Sequence, residues 1–235
     1  MKESRAAIPP AMSALPAVLA ERLWASAMLI NAKAGRTLVS HGATSTSVYV
    51  VLRGRLQVML FSLNGREIIL RDLGEGEMFG ELAAIDGQPR SASIVALADC
   101  TLASIDAPAF RAAVSELPEA ALWLARRLTV QIRALTDRIF ELNALRVSSR
   151  LHCELLRRCA AAGGDAGRVV IEPSPTHAEL ASCIGTHREA VTREMGYLVE
   201  RGIVEQQRRR IVVEDTKARA RLVQMVAGEH GPASE

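Results

Sequence analysis

The feature that most constrains the fold of this chain is a stretch of about 25 residues after Pro118 that contains neither glycine nor proline. Its main apolar residues follow one another at intervals of four, four, three, four and three: Leu124, Leu128, Ile132, Leu135, Ile139 and Leu142. This spacing predicts one long helix with a single narrow apolar seam, because charged residues occupy the other faces. The helix either lies along its own domain or pairs with a second copy as a coiled-coil dimer, and the narrow seam favours the dimer.

The chain in front of this helix has the pattern of a β-rich domain. From about Gly35 to Ile105, short runs of β-branched and other apolar residues are interrupted by glycine. Two of these runs are joined through Asn64-Gly65, a dipeptide that is a strong short-range signal for a hairpin. Many short strands at such spacing predict a sandwich or a barrel-like roll. Before it, we expect a loose tail over residues 1–18 and a short helix from Glu21 to Ile30.

A different pattern begins after Leu145 and predicts a winged helix-turn-helix module. A helix, a strand, two further helices joined by a short glycine turn, and a closing hairpin follow one another. Their expected bounds are 148–162 for the first helix, 168–171 for the strand, 176–183 and 187–201 for the helix pair, and 203–213 for the hairpin.

Composition restricts the class of protein without identifying a partner. Apolar residues make up 49% of the 235 and aromatic residues only 3%, so we expect a core that is aliphatic and rich in alanine. The net charge of +3 is spread evenly on both sides of Leu145, so nucleic-acid binding has to be argued from the placement of basic residues. No apolar run approaches the roughly 18 residues of a membrane span, and prolines interrupt the alanine-rich N-terminal stretch. We therefore expect a cytoplasmic protein that makes no contact with a membrane.

Cysteine and histidine do not form the pattern of a metal site, and we expect neither a metal nor a cofactor. Cys100, Cys153, Cys159 and Cys183 contain no Cys-x-x-Cys pair and are expected to be reduced and mostly buried. The five histidines lack metal-ligand spacing. No Gly-x-Ser-x-Gly, His-Glu-x-x-His or P-loop motif occurs either, so the sequence argues against an enzyme.

The most informative stretch, residues 76–93, combines a glycine turn, an acid and an Arg-Ser pair nine residues after that acid. The backbone at Gly80 can approach an anion closely because no Cβ intervenes. Arg90 supplies forked donors to phosphate oxygens, and Ser91 adds a hydroxyl donor. Glu81 is unsuited to phosphate but suited to a sugar hydroxyl. Together these residues predict the binding of a phosphorylated ribose.

Segments 79–83 (Phe-Gly-Glu-Leu-Ala) and 89–92 (Pro-Arg-Ser-Ala) resemble the phosphate-binding cassette of cyclic-nucleotide-binding domains. From about residue 25 to 215, the chain resembles the cyclic AMP receptor protein (CRP/FNR) family of bacterial transcription regulators. The resemblance implies an effector ligand, cyclic AMP and also cyclic GMP, in place of a cofactor. The contacts that it implies are Glu81 with the ribose 2′-hydroxyl, Arg90 with the cyclic phosphate, and further contacts from Ser91, the Gly80 backbone and Leu82.

In the long helix, the residues expected to contact the purine base differ from those of the best-known member of the family. Where that protein has a Thr-Ser pair against the adenine, this chain has Leu135-Thr136. The resemblance thus implies that Leu135 and Thr136 contact the base, with one hydroxyl instead of two. This departure leaves the choice between cyclic AMP and cyclic GMP open.

The second helix of the predicted pair carries candidate DNA-binding residues. Arg188, Glu189, Thr192 and Arg193 lie on one side of it, and arginine and glutamate fit the base edges of guanine and cytosine in the major groove. The family's recognition helix carries Arg-Glu-x-x-x-Arg, so the resemblance implies that Arg188, Glu189 and Arg193 read a palindromic TGTGA-type operator. Residues expected near backbone phosphates are Thr176 and Thr186 at helix starts, His187, and Arg208 and Arg209 of the Arg208–Arg210 run.

The patterns and the resemblance together predict an α+β chain with an N-terminal jelly-roll-like β-roll, a long dimerisation helix and a C-terminal winged helix-turn-helix. The expected divisions are a tail and short helix over 1–24, the cyclic-nucleotide-binding roll over 25–117, the dimerisation helix over 118–146 and the DNA-binding module over 147–235. The implied partners are operator DNA, a cyclic nucleotide, a second copy of the chain and RNA polymerase.

The alternative is a redox- or gas-sensing regulator of the same family that uses no cyclic nucleotide. Its iron–sulfur form needs a cysteine cluster near the N-terminus, and no cysteine precedes Cys100. Its haem form is left open by the residues, although the Glu-Arg-Ser cassette argues against it.

Overall fold

The computed structural model describes residues 7–62, 67–163, 168–213 and 216–227. The chain divides into two compact units, 1–133 and 134–235, and the division falls inside the long helix. The Asn64-Gly65 turn that the sequence predicts lies outside the described residues.

The first unit is an antiparallel β-roll flanked by helices, as the sequence predicts. The elements are a 3₁₀ helix Pro10–Ala14, α1 Ala17–Ser26, β1 Met28–Ala32, β2 Thr37–Val39, β3 Val48–Arg53, β4 Leu56–Phe61, β5 Glu67–Leu73, β6 Met78–Phe79, α2 Glu81–Asp86, β7 Ser93–Ala96, β8 Cys100–Ile105, α3 Ala107–Glu116 and α4 Pro118–Ala144, which continues into the second unit. One sheet has the strand order β1-β8-β3-β6 and the other β2-β7-β4-β5, with neighbouring strands antiparallel.

Two apolar cores hold this unit together. One lies between the sheets and takes residues from both, among them Val51, Leu56 and Leu102. The other lies between the β3–β8 sheet and the helices, and Phe110 of α3 is fully buried in it. As the composition predicts, nearly all the side chains in both cores are aliphatic.

The N-terminal segment belongs to the second of these cores from Met12 onward, so the predicted loose tail over 1–18 is wrong for that part; residues 1–6 lie outside the described residues. Met12 is fully buried and Leu15 nearly so, because the 3₁₀ helix packs its apolar side against the same core as α1. The helix predicted from Glu21 to Ile30 begins earlier, at Ala17, and ends at Ser26. Its last residues instead form β1, because they pair with β8, and the hydrogen bonds of the sheet outweigh a local helical preference.

The apolar seam of α4 divides between two environments, and the prediction of one continuous dimer seam is wrong at its first two positions. Leu124 is buried in the core of its own unit and Leu128 packs against that core, because α4 starts directly after α3. The remaining seam residues are between 44% and 63% exposed: Ile132, Leu135, Ile139 and Leu142. In the described part of the chain no helix, α4 included, is apolar enough over a sufficient length to cross a membrane.

The second unit is the predicted winged helix-turn-helix. Its elements after α4 are α5 Val147–Ala161, β9 Val169–Ile171, α6 His177–Ile184, α7 Arg188–Glu200, β10 Val204–Gln207, β11 Arg210–Val213 and α8 Thr216–Ala227. Its small sheet has the order β10-β11-β9, and Leu180, Met195 and Ile211 are among its fully buried side chains. The sequence analysis missed α8, which packs against α5 and buries Leu222.

Buried ion pairs fasten the end of α4 to α5 within this unit. The Glu154 carboxylate accepts hydrogen bonds from Arg138 at 3.0 Å and from Arg158 at 2.8 Å, and Arg157 bridges it to Glu141. Burial raises the pKa of Glu154, but the three arginines outweigh that effect and hold it below its ordinary value. The carboxylate is therefore charged at neutral pH, and its removal would deprive the partly buried Arg138 and Arg158 of this partner.

We expect Met12→Ala to lower the free energy of unfolding by about 2–5 kcal/mol, the range for truncating a large buried side chain. Urea unfolding followed by circular dichroism measures the change. The matched control is Val18→Ala, because Val18 lies in the neighbouring helix and is 49% exposed. Equal effects of the two substitutions would contradict the assignment of the N-terminal segment to the core.

Candidate functional site

A left-handed glycine shapes the cassette between β6 and α2. Gly80 has φ +87° and precedes the first residue of α2. A Cβ at this position would lie 2.5 Å from Nη1 of Arg90 and 2.6 Å from the carbonyl oxygen of Ser47. Both the backbone angle and the close approach of Arg90 therefore require glycine here.

The Arg90 guanidinium is buried, and its hydrogen-bond acceptors among the described residues are neutral oxygens. Nη1 donates to the Gly80 carbonyl at 3.0 Å, Nη2 to the Ser47 carbonyl at 2.7 Å and Nε to the Ser45 hydroxyl at 3.1 Å. The residue is 4% exposed, and its Cζ lies 5.9 Å from the centre of the Tyr49 ring. Burial lowers the pKa of Arg90, while Tyr49 and Glu81 act in the opposite direction. The cassette thus holds a positive charge in a fixed orientation.

The other predicted cassette residues differ in their exposure. Glu81 is the first residue of α2 and is 4% exposed, and its charge acts on Arg90. Ser91 follows Arg90 and is exposed, as is Leu82. The structure therefore brings Gly80, Glu81 and Arg90 together, with Ser91 and Leu82 on the accessible side.

Two residues of α4 near the cassette were missed by the sequence analysis. Nη2 of Arg127 donates to the Met78 carbonyl at 2.6 Å, just before the cassette turn. Burial lowers the pKa of Arg127, while the charge of Glu81 raises it, so the Glu81 carboxylate interacts with guanidinium groups on both sides. One helical turn further along, Nε2 of Gln131 is buried and has no hydrogen-bond partner among the described residues. In the sequence, Arg127 and Gln131 are polar residues next to the apolar seam of α4. That position is the only sequence signal that could have pointed to them.

The predicted base contacts fall in a different part of the chain. Leu135 and Thr136 belong to the second compact unit, whereas Arg127 and Gln131 belong to the unit that carries the cassette. Leu135 is 52% exposed, and Thr136 is also exposed. The contact of these two residues with the purine base stays a prediction.

The helix-turn-helix is built as the sequence predicts. Thr176 caps α6, since its hydroxyl accepts from the Glu179 backbone N–H, and the Glu179 carboxylate accepts from the Thr176 backbone N–H. Gly185 ends α6 in the left-handed conformation, and His187 precedes α7. The Thr176 hydroxyl thus accepts from its own helix, and its hydrogen can still be donated to another group.

The outer face of α7 carries the predicted base-reading residues. Val191, Met195 and Leu198 are fully buried on the inner face of this helix. On the opposite side the exposed residues are Arg188, Glu189, Thr192 and Arg193, with His187 exposed in front of them and Thr186 half-buried. The helix therefore presents its charged face outward, as major-groove reading requires.

The Arg208–Arg210 run divides between the wing turn and its strand. Arg208 and Arg209 form the exposed two-residue turn between β10 and β11. Nε of Arg210 lies 2.8 Å from a carboxylate oxygen of Glu172, so this arginine is paired within the protein. The wing thus presents two arginines at its tip.

Comparisons with known proteins match both units separately. Residues 29–116 match the family model described as a cyclic nucleotide-binding domain, and residues 149–221 match a Crp-like helix-turn-helix domain. Among curated relatives, the chain is 31% identical to the cyclic AMP receptor protein of Thermus thermophilus, covering 72% of this chain and 76% of that protein. It is 26% identical to the CRP-like cAMP-activated global transcriptional regulator of Mycobacterium tuberculosis, and the match covers 80% of this chain and 84% of that protein.

A solved structure of similar fold is a transcriptional regulator of the CRP/FNR family, also from Thermus thermophilus. Its TM-score is 0.66 at 27% identity, and the alignment covers 84% of this chain and 98% of that one. The alignment therefore spans nearly the whole of that regulator.

We expect Gly80→Ala to destabilise the protein by at least about 1 kcal/mol more than Gly87→Ala does. Both glycines have positive φ, but a Cβ at Gly87 meets nothing within 4 Å, so the control isolates the collision with Arg90 and Ser47. Thermal unfolding of the two variants measures the difference. Equal losses would show that the cassette can accommodate a Cβ.

Proposed function

Since the chain belongs to the CRP/FNR family of transcription regulators, we propose that it is a cyclic-nucleotide-dependent regulator that binds operator DNA as a homodimer. The observation that carries the proposal is the buried Arg90 guanidinium with neutral acceptors. The charge of Glu81 acts on Arg90, but none of the described hydrogen bonds of the guanidinium goes to an anion. A buried cation is unfavourable unless it is paired, and an anionic ligand supplies a directly bonded partner.

The geometry of Arg90 suits a cyclic phosphate. A guanidinium has five N–H donors, and three of them are engaged by Gly80, Ser47 and Ser45. One N–H on each terminal nitrogen remains available, which is the fork that two phosphate oxygens require. In the proposed complex, the exposed Ser91 hydroxyl adds a third donor, and the Glu81 carboxylate accepts from the ribose 2′-hydroxyl.

We expect Arg90→Ala to weaken the binding of cyclic AMP by about 2–5 kcal/mol, because it removes a charged partner from a largely desolvated phosphate. Isothermal titration calorimetry measures the affinity, and thermal unfolding checks that the variant is folded. Arg36→Ala is the control, since it removes an exposed arginine of the same unit. In Arg90→Lys the charge remains but the fork is lost, so we expect intermediate affinity. Unchanged affinity in folded Arg90→Ala protein would overturn the cassette assignment.

The purine base is proposed to be read from α4. The resemblance points to Leu135 and Thr136, of which only Thr136 can form a side-chain hydrogen bond, whereas the unpaired buried amide of Gln131 supports a contact nearer the cassette. A threonine hydroxyl and a glutamine amide can both donate and accept. Either group can therefore serve adenine or guanine, and such a site discriminates weakly between them.

We expect cyclic AMP to bind, with cyclic GMP within about a hundredfold, or roughly 2.7 kcal/mol. Calorimetry with both nucleotides on the wild type, Gln131→Ala and Thr136→Ala measures the discrimination. An altered ratio of the two affinities in one variant identifies the residue that reads the base. A much wider gap in the wild type, or two variants without effect, would show that the base is read elsewhere.

The second unit supports sequence-specific DNA binding by a dimer. In the proposed complex, Arg188, Glu189 and Arg193 read base edges of a TGTGA-type half-site, while Arg208 and Arg209 contact phosphates. The exposed seam of α4 supports dimerisation, because Ile132, Leu135 and Ile139 are more than half exposed in the single chain. A second copy of the same helix is the partner that such a narrow apolar seam fits.

We expect Arg188→Ala, Glu189→Ala and Arg193→Ala each to lower specific affinity by about 1–3 kcal/mol and to relax the sequence preference. Substitution of Arg208 or Arg209 should instead weaken binding to all DNA and flatten its salt dependence. Arg210→Ala is the matched control for the salt dependence, because Arg210 is paired with Glu172. Gel-shift titrations at several salt concentrations measure both effects.

Operator spacing tests the dimer independently. Two inverted half-sites about one helical turn apart, near 34 Å, should bind more tightly than one half-site alone. A single half-site that binds as tightly as the palindrome would contradict the dimer.

The proposed switch is a two-state hinge where α4 meets α5, near Asn143 to Ser148. The effector shifts the equilibrium between the two states of this hinge only by the difference in its affinity for them. The ion pairs that Glu154 and Glu141 form with Arg138 and Arg157 cross this junction. Any swing of α5 relative to the end of α4 must therefore lengthen or exchange these pairs.

In the DNA-bound state, RNA polymerase is the proposed partner.

A further inference from the structure

A chain of hydrogen bonds links the wing to the recognition helix through a histidine. Nδ1 of His177 lies 2.8 Å from the Thr192 hydroxyl, and its Nε2 lies 3.0 Å from the Gln206 amide nitrogen. The Thr192 hydroxyl donates in turn to the carbonyl oxygen of Arg188 at 3.0 Å. The chain thus joins β10, the first residue of α6 and the first turn of α7.

The donor and acceptor roles along this chain are mutually consistent. The Gln206 amide nitrogen can only donate, so Nε2 of His177 accepts and Nδ1 carries the hydrogen. Nδ1 then donates to the Thr192 oxygen, whose own hydrogen points to the Arg188 carbonyl. If the amide of Gln206 presented its oxygen instead, Nδ1 would become an acceptor and the bond from Thr192 to Arg188 would be lost.

His177 stands between the two kinds of DNA contact. The groove to which it contributes is also lined by Arg188, a proposed base reader, and by Arg208 at the wing tip. Both ring nitrogens of His177 are engaged by protein groups, which distinguishes it from a side chain presented to a phosphate. Its hydrogen bonds connect the first turn of α7 to strand β10 of the wing.

We propose that His177 is a positioning residue for DNA recognition, which holds the backbone of Arg188 at the start of α7 through Thr192 and ties it to the wing through Gln206. The inference rests on the proposed function, in which Arg188 reads a base edge. A bidentate contact with guanine requires the Arg188 side chain to extend from a defined backbone position. Phosphate contacts tolerate small rotations and carry no sequence information. Loss of the chain therefore reduces sequence preference without reducing general affinity for DNA.

The first arm of the test needs no DNA. Long-range nitrogen–proton NMR spectra of the full-length protein report the tautomer of His177. We expect the neutral ring with its hydrogen on Nδ1. A ring with its hydrogen on Nε2 alone would overturn the proposed chain of hydrogen bonds.

The second arm compares binding to the selected operator with binding to random-sequence DNA. We expect His177→Ala to lower the ratio of the two affinities about tenfold while affinity for random DNA stays within twofold. Thr192→Val should have the same effect, and the double variant should be no worse than either single variant, because both remove one chain. Gln206→Ala should also lower the ratio, whereas Gln207→Ala, its neighbour in β10, should leave it unchanged.

Two conservative variants separate positioning from a general structural role. His177→Asn places an amide N–H near Nδ1 and should restore much of the preference, whereas His177→Gln places its amide near Nε2 and should not. They also carry the test if His177→Ala fails to fold. Equal losses on operator and random DNA, or additive effects in the double variant, would overturn the proposal. A wild-type protein that selects no DNA sequence overturns the proposed function, and the recognition role of His177 with it, whatever the tautomer.

Discussion

The hydrogen bonds of the buried Arg90 guanidinium are the interaction on which the proposed effector site depends. Its three hydrogen-bond acceptors come from the loop before β3 and from the turn before α2, so one side chain sets the distance between these segments. The turn can approach because Gly80 has no Cβ. All three acceptors are neutral, so in the proposed complex the phosphate of the ligand is the anion that the guanidinium hydrogen-bonds.

The long helix α4 relates this pocket to the rest of the chain because its two ends belong to different cores. Leu124 is buried in the first unit, where Arg127 also binds the Met78 carbonyl beside the cassette. At its other end, Arg138 and Glu141 form buried ion pairs with α5. The charge of Glu81 thus acts on a residue of the same helix that continues into the second unit. We regard this continuity as the physical basis of the proposed regulation.

Both proposed binding surfaces depend on polar residues that support the residues in contact with the ligand. Ser45 and Ser47 accept hydrogen bonds from the Arg90 guanidinium, and His177 and Thr192 are proposed to hold the backbone of Arg188. Charged side chains are long and lose rotational freedom on binding, so neighbours that restrict them beforehand reduce that loss.

The sequence by itself determined the order of roll, long helix and winged helix-turn-helix, because glycine-interrupted β-runs and helical spacing are local patterns. It also determined the chemistry of Glu81, Arg90 and the outer face of α7, because these residue types suit few ligands. Only the tertiary structure decided that Met12 and Leu124 are core residues and that Ile30 lies in a strand, since burial and strand pairing depend on partners distant in sequence. The same reason explains why the sequence analysis did not find Arg127, Gln131 and His177. In the sequence each is an ordinary polar residue of a helix. Only the fold brings Arg127 and His177 within hydrogen-bond distance of their partners and buries the amide nitrogen of Gln131 without a partner among the described residues.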